Sequence, residues 1–140
     1  MDVSTTLARL PLPKSRVRAL VTRALELERI RNALVSVTFL GPRAMANLNS
    51  SYLGQRGPTD VITFSFDRES PQLPVVGDIY VCSSVAAANA KRLRISLREE
   101  LSRLVVHGTL HLAGLDHPDD DTRTSSPMWR KQERIVDRDR

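Results

Sequence analysis

Residues Ser96 to His117 read SLREELSRLVVHGTLHLAGLDH, and this run decides the fold. Ser96 followed three residues later by Glu99 is a capping-box start for a helix. From there Leu97, Leu101, Leu104, Val105, Gly108 and Leu112 recur at three- and four-residue spacing, one buried stripe of a long helix. Gly114 is the expected stop, because glycine takes up a left-handed conformation without a Cβ penalty. A helix this long with an apolar stripe must be laid against something, and the segments before it supply a sheet.

Working outward, Pro11 and Pro13 precede a helical pattern over Lys14 to Arg29, with Val17, Leu20, Val21, Ala24, Leu25 and Leu27 at helical spacing. The β-branched and aromatic run Leu34 to Leu40 is a strand, ended by Gly41-Pro42. Arg43 to Leu53 is a short helix, and Pro58-Thr59-Asp60 turns into a strand over Val61 to Phe66. A polar loop, Asp67 to Pro74, leads to Gly77-Asp78, which opens a strand Ile79 to Cys82. Asp60 and Asp78, at strand starts, are expected to accept from local backbone amides. Ser83 or Ser84 starts a helix through Ala90, followed by a basic connection, Lys91 to Ile95. Met128 to Val136 is a final amphipathic helix anchored by Trp129 and Ile135. These elements predict an α+β (α/β-like) fold, a small mixed sheet of about four strands covered by helices. One domain is expected over residues 1–140, with a functional site at the end of the long central helix.

All three histidines lie within eleven residues, at 107, 111 and 117. His107 and His111 stand at i and i+4, so their rings project side by side from one helix face. A chain turned back by Gly114 can return His117 to the same point. Three neutral imidazoles with an open fourth position form the donor set of a catalytic zinc ion, a source of hydroxide at neutral pH. Imidazole also suits nickel, copper, cobalt and iron, so zinc is the first expectation among several. The spacing copies the HExxHxxGxxH metalloproteases, in which Glu is the general base. Here the base position is Gly108, which takes up no proton.

Composition bounds the remaining classes. The chain is 41% hydrophobic and 26% charged, which excludes a disordered tail protein. No apolar run approaches the roughly 20 residues of a membrane helix, and the N-terminal MDVSTTLARLPLPKSR has no signal-peptide apolar core. With one cysteine, Cys82, no internal disulfide is possible, and the expected compartment is the cytoplasm. The net charge is +5, carried by 18 Arg and 3 Lys against 16 acidic residues. That excess fits an RNA backbone as partner and fits a GC-rich genome equally well. Aromatic residues are 4% of the chain, too few to predict a base-stacking platform.

Together these blocks resemble the YbeY family of bacterial rRNA-maturation endoribonucleases. His107 to His117 fits the signature H-G-x-L-H-L-x-G-[YLF]-D-H at every fixed position. Asn49, Tyr52 and the run Pro58-Thr59-Asp60-Val61-Ile62-Thr63-Phe64 are similar to the family's PTDVLSF block, Gly77-Asp78-Ile79 to its GDI strand, and MWRKQERIV to its last helix. The resemblance implies a single-strand-specific, metal-dependent endoribonuclease of 3′ end maturation of small-subunit (16S) rRNA and of ribosome quality control. It implies one zinc ion on His107, His111 and His117. It also implies small-subunit rRNA, a small-subunit ribosomal protein and the Era GTPase as partners, with no membrane. Where many members carry an arginine after the tyrosine of the second block, this chain has Leu53, with Arg56 three residues later.

On that footing the metal would polarise a phosphoryl oxygen or supply hydroxide, and Arg56 would steady the phosphate charge. Asp116 would orient an imidazole or accept a proton, its plainer role being a turn residue. Asp119, Asp120 and Asp121 read as a solvated acidic loop. Arg92, Arg94 and Arg98, with Lys91, are candidates for RNA capture, as are Arg16, Arg18 and Arg23. Two other classes stay open: a metallohydrolase of peptides or small molecules with its base elsewhere, and a non-catalytic, zinc-containing ribosome assembly factor.

Overall fold

In a computed structural model, residues 2–7, 9–116 and 123–138 are described. Strand β1 (Asp2–Thr5) leads to helix α1 (Lys14–Leu27), strand β2 (Ala33–Leu40) and helix α2 (Pro42–Leu53). Strands β3 (Val61–Phe66) and β4 (Val75–Cys82) follow, then helices α3 (Ser83–Leu93) and α4 (Leu97–Leu112). A 3₁₀ turn (Arg123–Ser125) and helix α5 (Pro127–Arg138) close the order. The sheet runs β1-β2-β4-β3, with β1, β2 and β4 parallel and β3 antiparallel along β4. The mixed α+β architecture matches the expectation. The strand β1 carried no signal in the sequence, and β4 begins four residues earlier than its first apolar triplet suggests.

Alternation along the strands divides the sheet into two faces. Val35, Val37 and Phe39 of β2, with Val75, Ile79 and Val81 of β4, form one buried core with α1, α4 and α5. Leu40, Ile62 and Cys82 face the other way and bury Met45 of α2. On that second face Tyr52, Phe64 and Tyr80 form an edge-to-face ladder, with ring centroids 5.4 and 5.8 Å apart. Three of the six aromatic residues thus meet in one place, a concentration invisible in the overall percentage.

Helix α4 is the centre of the first core, buried over nearly its whole length. It starts as the sequence predicts: the Ser96 hydroxyl accepts from the Glu99 amide at 3.0 Å. Leu97, expected in the buried stripe, is instead exposed, because the stripe only meets the sheet one turn later. The helix lies close to the sheet through two glycines. A Cβ on Gly77 would run into the Leu112 side chain and come within 2.8 Å of the Phe64 carbonyl oxygen. One on Gly108 would sit 2.8 Å from a methyl of Ile79. Neither position has room for a larger residue.

Three helices end in the same way. After α4, the Leu115 amide donates to Leu110 O at 3.0 Å and the Gly114 amide to His111 O at 2.9 Å, with Gly114 at φ 101°. After α1 and α3 the left-handed residue is Arg29 (φ 59°) or Arg94 (φ 58°). An arginine in this role gives no stop signal. That is why α1 ends at Leu27, short of the Arg29 expected, and why α3 continues past Ala90 to Leu93. Asp60 does accept from a backbone amide, that of Val61 at 2.8 Å. Asp78 does not follow the expectation: its carboxylate accepts from the Ser36 hydroxyl across the sheet at 2.5 Å. Among the described residues no helix is long and apolar enough to cross a membrane.

Candidate functional site

His107 and His111 stand one turn apart near the C-terminal end of α4. Their ring centroids are 4.7 Å apart and their planes nearly perpendicular. The two Nε2 atoms approach to 3.1 Å. Each ring is tied at its other nitrogen. His111 Nδ1 lies 3.1 Å from the Leu115 carbonyl oxygen, which only accepts, so this nitrogen carries the proton. His107 Nδ1 lies 2.7 Å from Gln132 Oε1 of α5. The Gln132 amide nitrogen donates to the Glu133 carboxylate at 3.3 Å, which fixes the amide with its oxygen toward the histidine.

With both protons held at Nδ1, two Nε2 lone pairs face one another. Left alone they repel, and a cation between them turns the repulsion into two bonds. Two ligands at ~2.0–2.1 Å in a tetrahedral shell lie roughly 3.3 Å apart, close to the separation here. The donor set therefore fits a divalent cation of imidazole preference. Among the described residues no third His, Cys, Asp or Glu converges on the pair. His117, the expected third ligand, lies outside the described residues, as do Asp119, Asp120 and Asp121.

Beside His107 opens a cavity of about 220 Å³, bounded by α3, α4, the 3₁₀ turn and α5. Asp60, Asn89 and Glu100 form one of its walls. The Asn89 amide nitrogen donates to Asp60 Oδ2 and to Glu100 Oε2, both at 3.2 Å, and so bridges two carboxylates. Burial pushes the Glu100 carboxyl up from its ordinary range, against the opposing pull of Asn89 and Arg103, and the nearby Asp60 and Glu133 push it the same way. Arg92, Arg103 and Arg123 also line it, with Trp129. Arg103 forms a forked ion pair with Glu133, and the Arg103 and Arg123 guanidinium groups each stand 6.0 Å from the centre of the Trp129 ring. The Arg123 Nε is buried and has no hydrogen-bond partner among the described residues.

The other expected site residues are scattered. Of Arg92, Arg94 and Arg98, all exposed around the α3–α4 connection, Arg92 alone borders the cavity. Arg56 sits in the exposed loop between α2 and β3, outside the cavity lining among the described residues. Asp116 is exposed two residues beyond the Gly114 turn. Arg16 is half-buried and donates to Ser102 Oγ at 3.2 Å. Leu53 is exposed at the end of α2. The sequence reading missed Gln132, Asn89 and Glu100. A signal existed for Gln132: it shares a helical stripe with Met128, Ile135 and Val136, and a polar residue at a core-facing position needs a partner.

Comparison with known proteins covers nearly the whole chain. The family described as Endoribonuclease YbeY matches residues 3–139. Endoribonuclease YbeY of Thermotoga sp. (strain RQ2) is 39% identical over 103 residues, 74% of this chain and 65% of that protein. Endoribonuclease YbeY of Thermobifida fusca (strain YX) is 34% identical over 119 residues, 79% of this chain and 77% of the relative. The solution structure of a Thermotoga maritima protein superposes with a TM-score of 0.65 at 30% identity, covering 99% of this chain and 89% of the other. The aligned part of the chain thus spans about two thirds of the Thermotoga relative's length.

Proposed function

The chain belongs to the Endoribonuclease YbeY family, and from that premise we propose that it is a zinc-dependent endoribonuclease of single-stranded RNA. Its task is 3′ end maturation of small-subunit rRNA and ribosome quality control in the cytoplasm. A small-subunit ribosomal protein and the Era GTPase are its proposed partners. One observation carries the reading: two imidazoles with both Nδ1 protons committed point their Nε2 atoms at a common position, 3.1 Å apart. His107 and His111 would hold the ion, and His117 is the proposed third ligand. Bound there, zinc supplies Lewis acidity toward a phosphoryl oxygen and a nucleophile at neutral pH.

The chain's own residues do the rest. Arg92 at the cavity rim offers a guanidinium to a phosphate, and its neighbours Arg94 and Arg98 extend a basic edge along which a strand would run. Arg56 is the proposed substitute for the family arginine replaced by Leu53, and Asp116 the proposed orienting or proton-accepting group. A peptidase reading loses further ground at Gly108. The position that would carry its base faces Ile79 and Thr63 of the sheet with no room for a side chain.

The test is metal content together with cleavage of a single-stranded RNA, with and without chelator. Wild-type protein should carry one zinc and cleave; chelation should stop cleavage and added zinc restore it. His107→Ala and His111→Ala should each lower bound zinc to background while the circular dichroism spectrum is retained. Full zinc content in both variants would overturn the site, and chelator-resistant cleavage would overturn the mechanism.

A further inference from the structure

Gln132 is one of three polar residues at 2% exposure or less among the described residues, in the middle of an otherwise apolar stripe of α5. A buried amide is costly unless its hydrogen bonds are made, and leucine or methionine would fill the same space without that cost. Both ends of this amide are engaged: Oε1 with His107 Nδ1 at 2.7 Å, and Nε2 with Glu133 Oε2 at 3.3 Å. Glu133 is itself held by Arg103, the residue on α4 one turn before His107. The chain His107–Gln132–Glu133–Arg103 therefore starts and ends on α4 and passes through α5. In it the amide has one orientation only, with the carbonyl toward the ring.

We infer that Gln132 is a positioning residue that selects the Nδ1–H tautomer of His107 and so leaves the lone pair of that ring on Nε2. For His111 the backbone does this work, since the Leu115 carbonyl belongs to the helix-ending turn. For His107, inside the helix, the neighbouring backbone carbonyls are engaged four residues on, and among the described residues the acceptor at Nδ1 is Gln132 Oε1. A side chain from another element has to supply the acceptor. A neutral amide fixes the tautomer without placing a charge against the ring. Partners of this kind change metal affinity by roughly 10- to 100-fold when removed.

The link to zinc rests on the reading of His107 and His111 proposed above, and the two fail separately. Gln132→Met removes the acceptor with little change of volume; Gln132→Glu keeps an acceptor in place. In the metal-free protein, long-range proton–nitrogen correlation spectra report the tautomer of each ring. Wild type and Gln132→Glu should hold His107 as Nδ1–H, whereas Gln132→Met should shift it toward Nε2–H and leave His111 unchanged. Zinc affinity, read by competition with a chromophoric chelator, should fall roughly 10- to 100-fold in Gln132→Met and be rescued in Gln132→Glu. An unchanged His107 tautomer in a folded Gln132→Met protein overturns the inference. A His107 tautomer shift in Gln132→Met, together with no zinc bound by the wild-type protein, overturns the metal reading alone.

Discussion

His111 and His107 present their Nε2 atoms to one another from one helix face, yet their supports come from opposite kinds of structure. His111 is held locally. The Gly114 turn ends the helix, bonds Leu115 back to Leu110, and in doing so presents the Leu115 carbonyl to His111 Nδ1. Ring, turn and acceptor all lie within six residues. His107 is held at long range, by a side chain 25 residues further along the chain on a separate helix. The same contrast runs along α4. Its ends are set by Ser96 and Gly114, while between them Glu100 is held by Asn89 of α3 and Arg103 by Glu133 of α5. A site half built by local turn geometry and half by docking of another helix should fail in two separable ways.

The largest effect is expected from undocking α5. Met128 is 1% exposed, in the core shared with α1 and α4. Met128→Ala should cost about 2–5 kcal/mol of stability, measured by chemical denaturation. Hydrogen exchange should show α5 opening first, with the Gly114 and Leu115 amides still protected, because the turn around His111 needs no contact from α5. Equal loss of protection in both places would erase the distinction between the two supports.

A smaller effect is expected from the local side. Gly114→Ala forces a Cβ into a backbone at φ 101°, at about 1–2 kcal/mol. Nothing lies within 4 Å of the added atom, so the cost is conformational strain and not a clash. The thermal midpoint should drop by a few degrees, and the His111 tautomer should loosen while that of His107 holds. A variant as stable as wild type would show that the turn survives without glycine, and the local half of the comparison would go with it.

That division also explains what the sequence disclosed. The capping box at Ser96, the glycine stop and the i, i+4 histidine pair are short-range signals, and each stands in the structure as read. The α+β class and three of the four strands were legible for the same reason: alternation and turn residues are local. The strand β1 was not. Four residues with no apolar run become a strand only because β2 offers its edge for parallel pairing. Helix ends built on Arg29 and Arg94 were illegible because an arginine in a left-handed conformation looks like any other arginine. Gln132, Asn89 and Glu100 were hidden because their partners are 11 to 29 residues away, brought close by helix packing that no spacing encodes.

The smallest effect, and the one that separates a long-range polar contact from mere burial, concerns Glu100. Its carboxyl is pushed up chiefly by burial, with Asn89 and Arg103 pulling the other way. For an acid whose folded value lies above the unfolded one, the protonated form is favoured by folding. Its contribution to stability is complete below the ordinary carboxylate range and is lost as pH rises through the raised value. Glu100→Gln keeps an oxygen for Asn89 but does not titrate. The stability of this variant relative to wild type should therefore grow as pH rises from the ordinary carboxylate range through that window, then level off. Denaturant midpoints of both proteins at a series of pH values measure it, and the change should be smaller than either of the two above. A difference that stays flat would mean that the Asn89 bridge and Arg103 together offset the cost of burying the charge. In that case the long-range contacts of α4 are as well satisfied as its caps, and what distinguishes the two histidines is the reach of their supports alone.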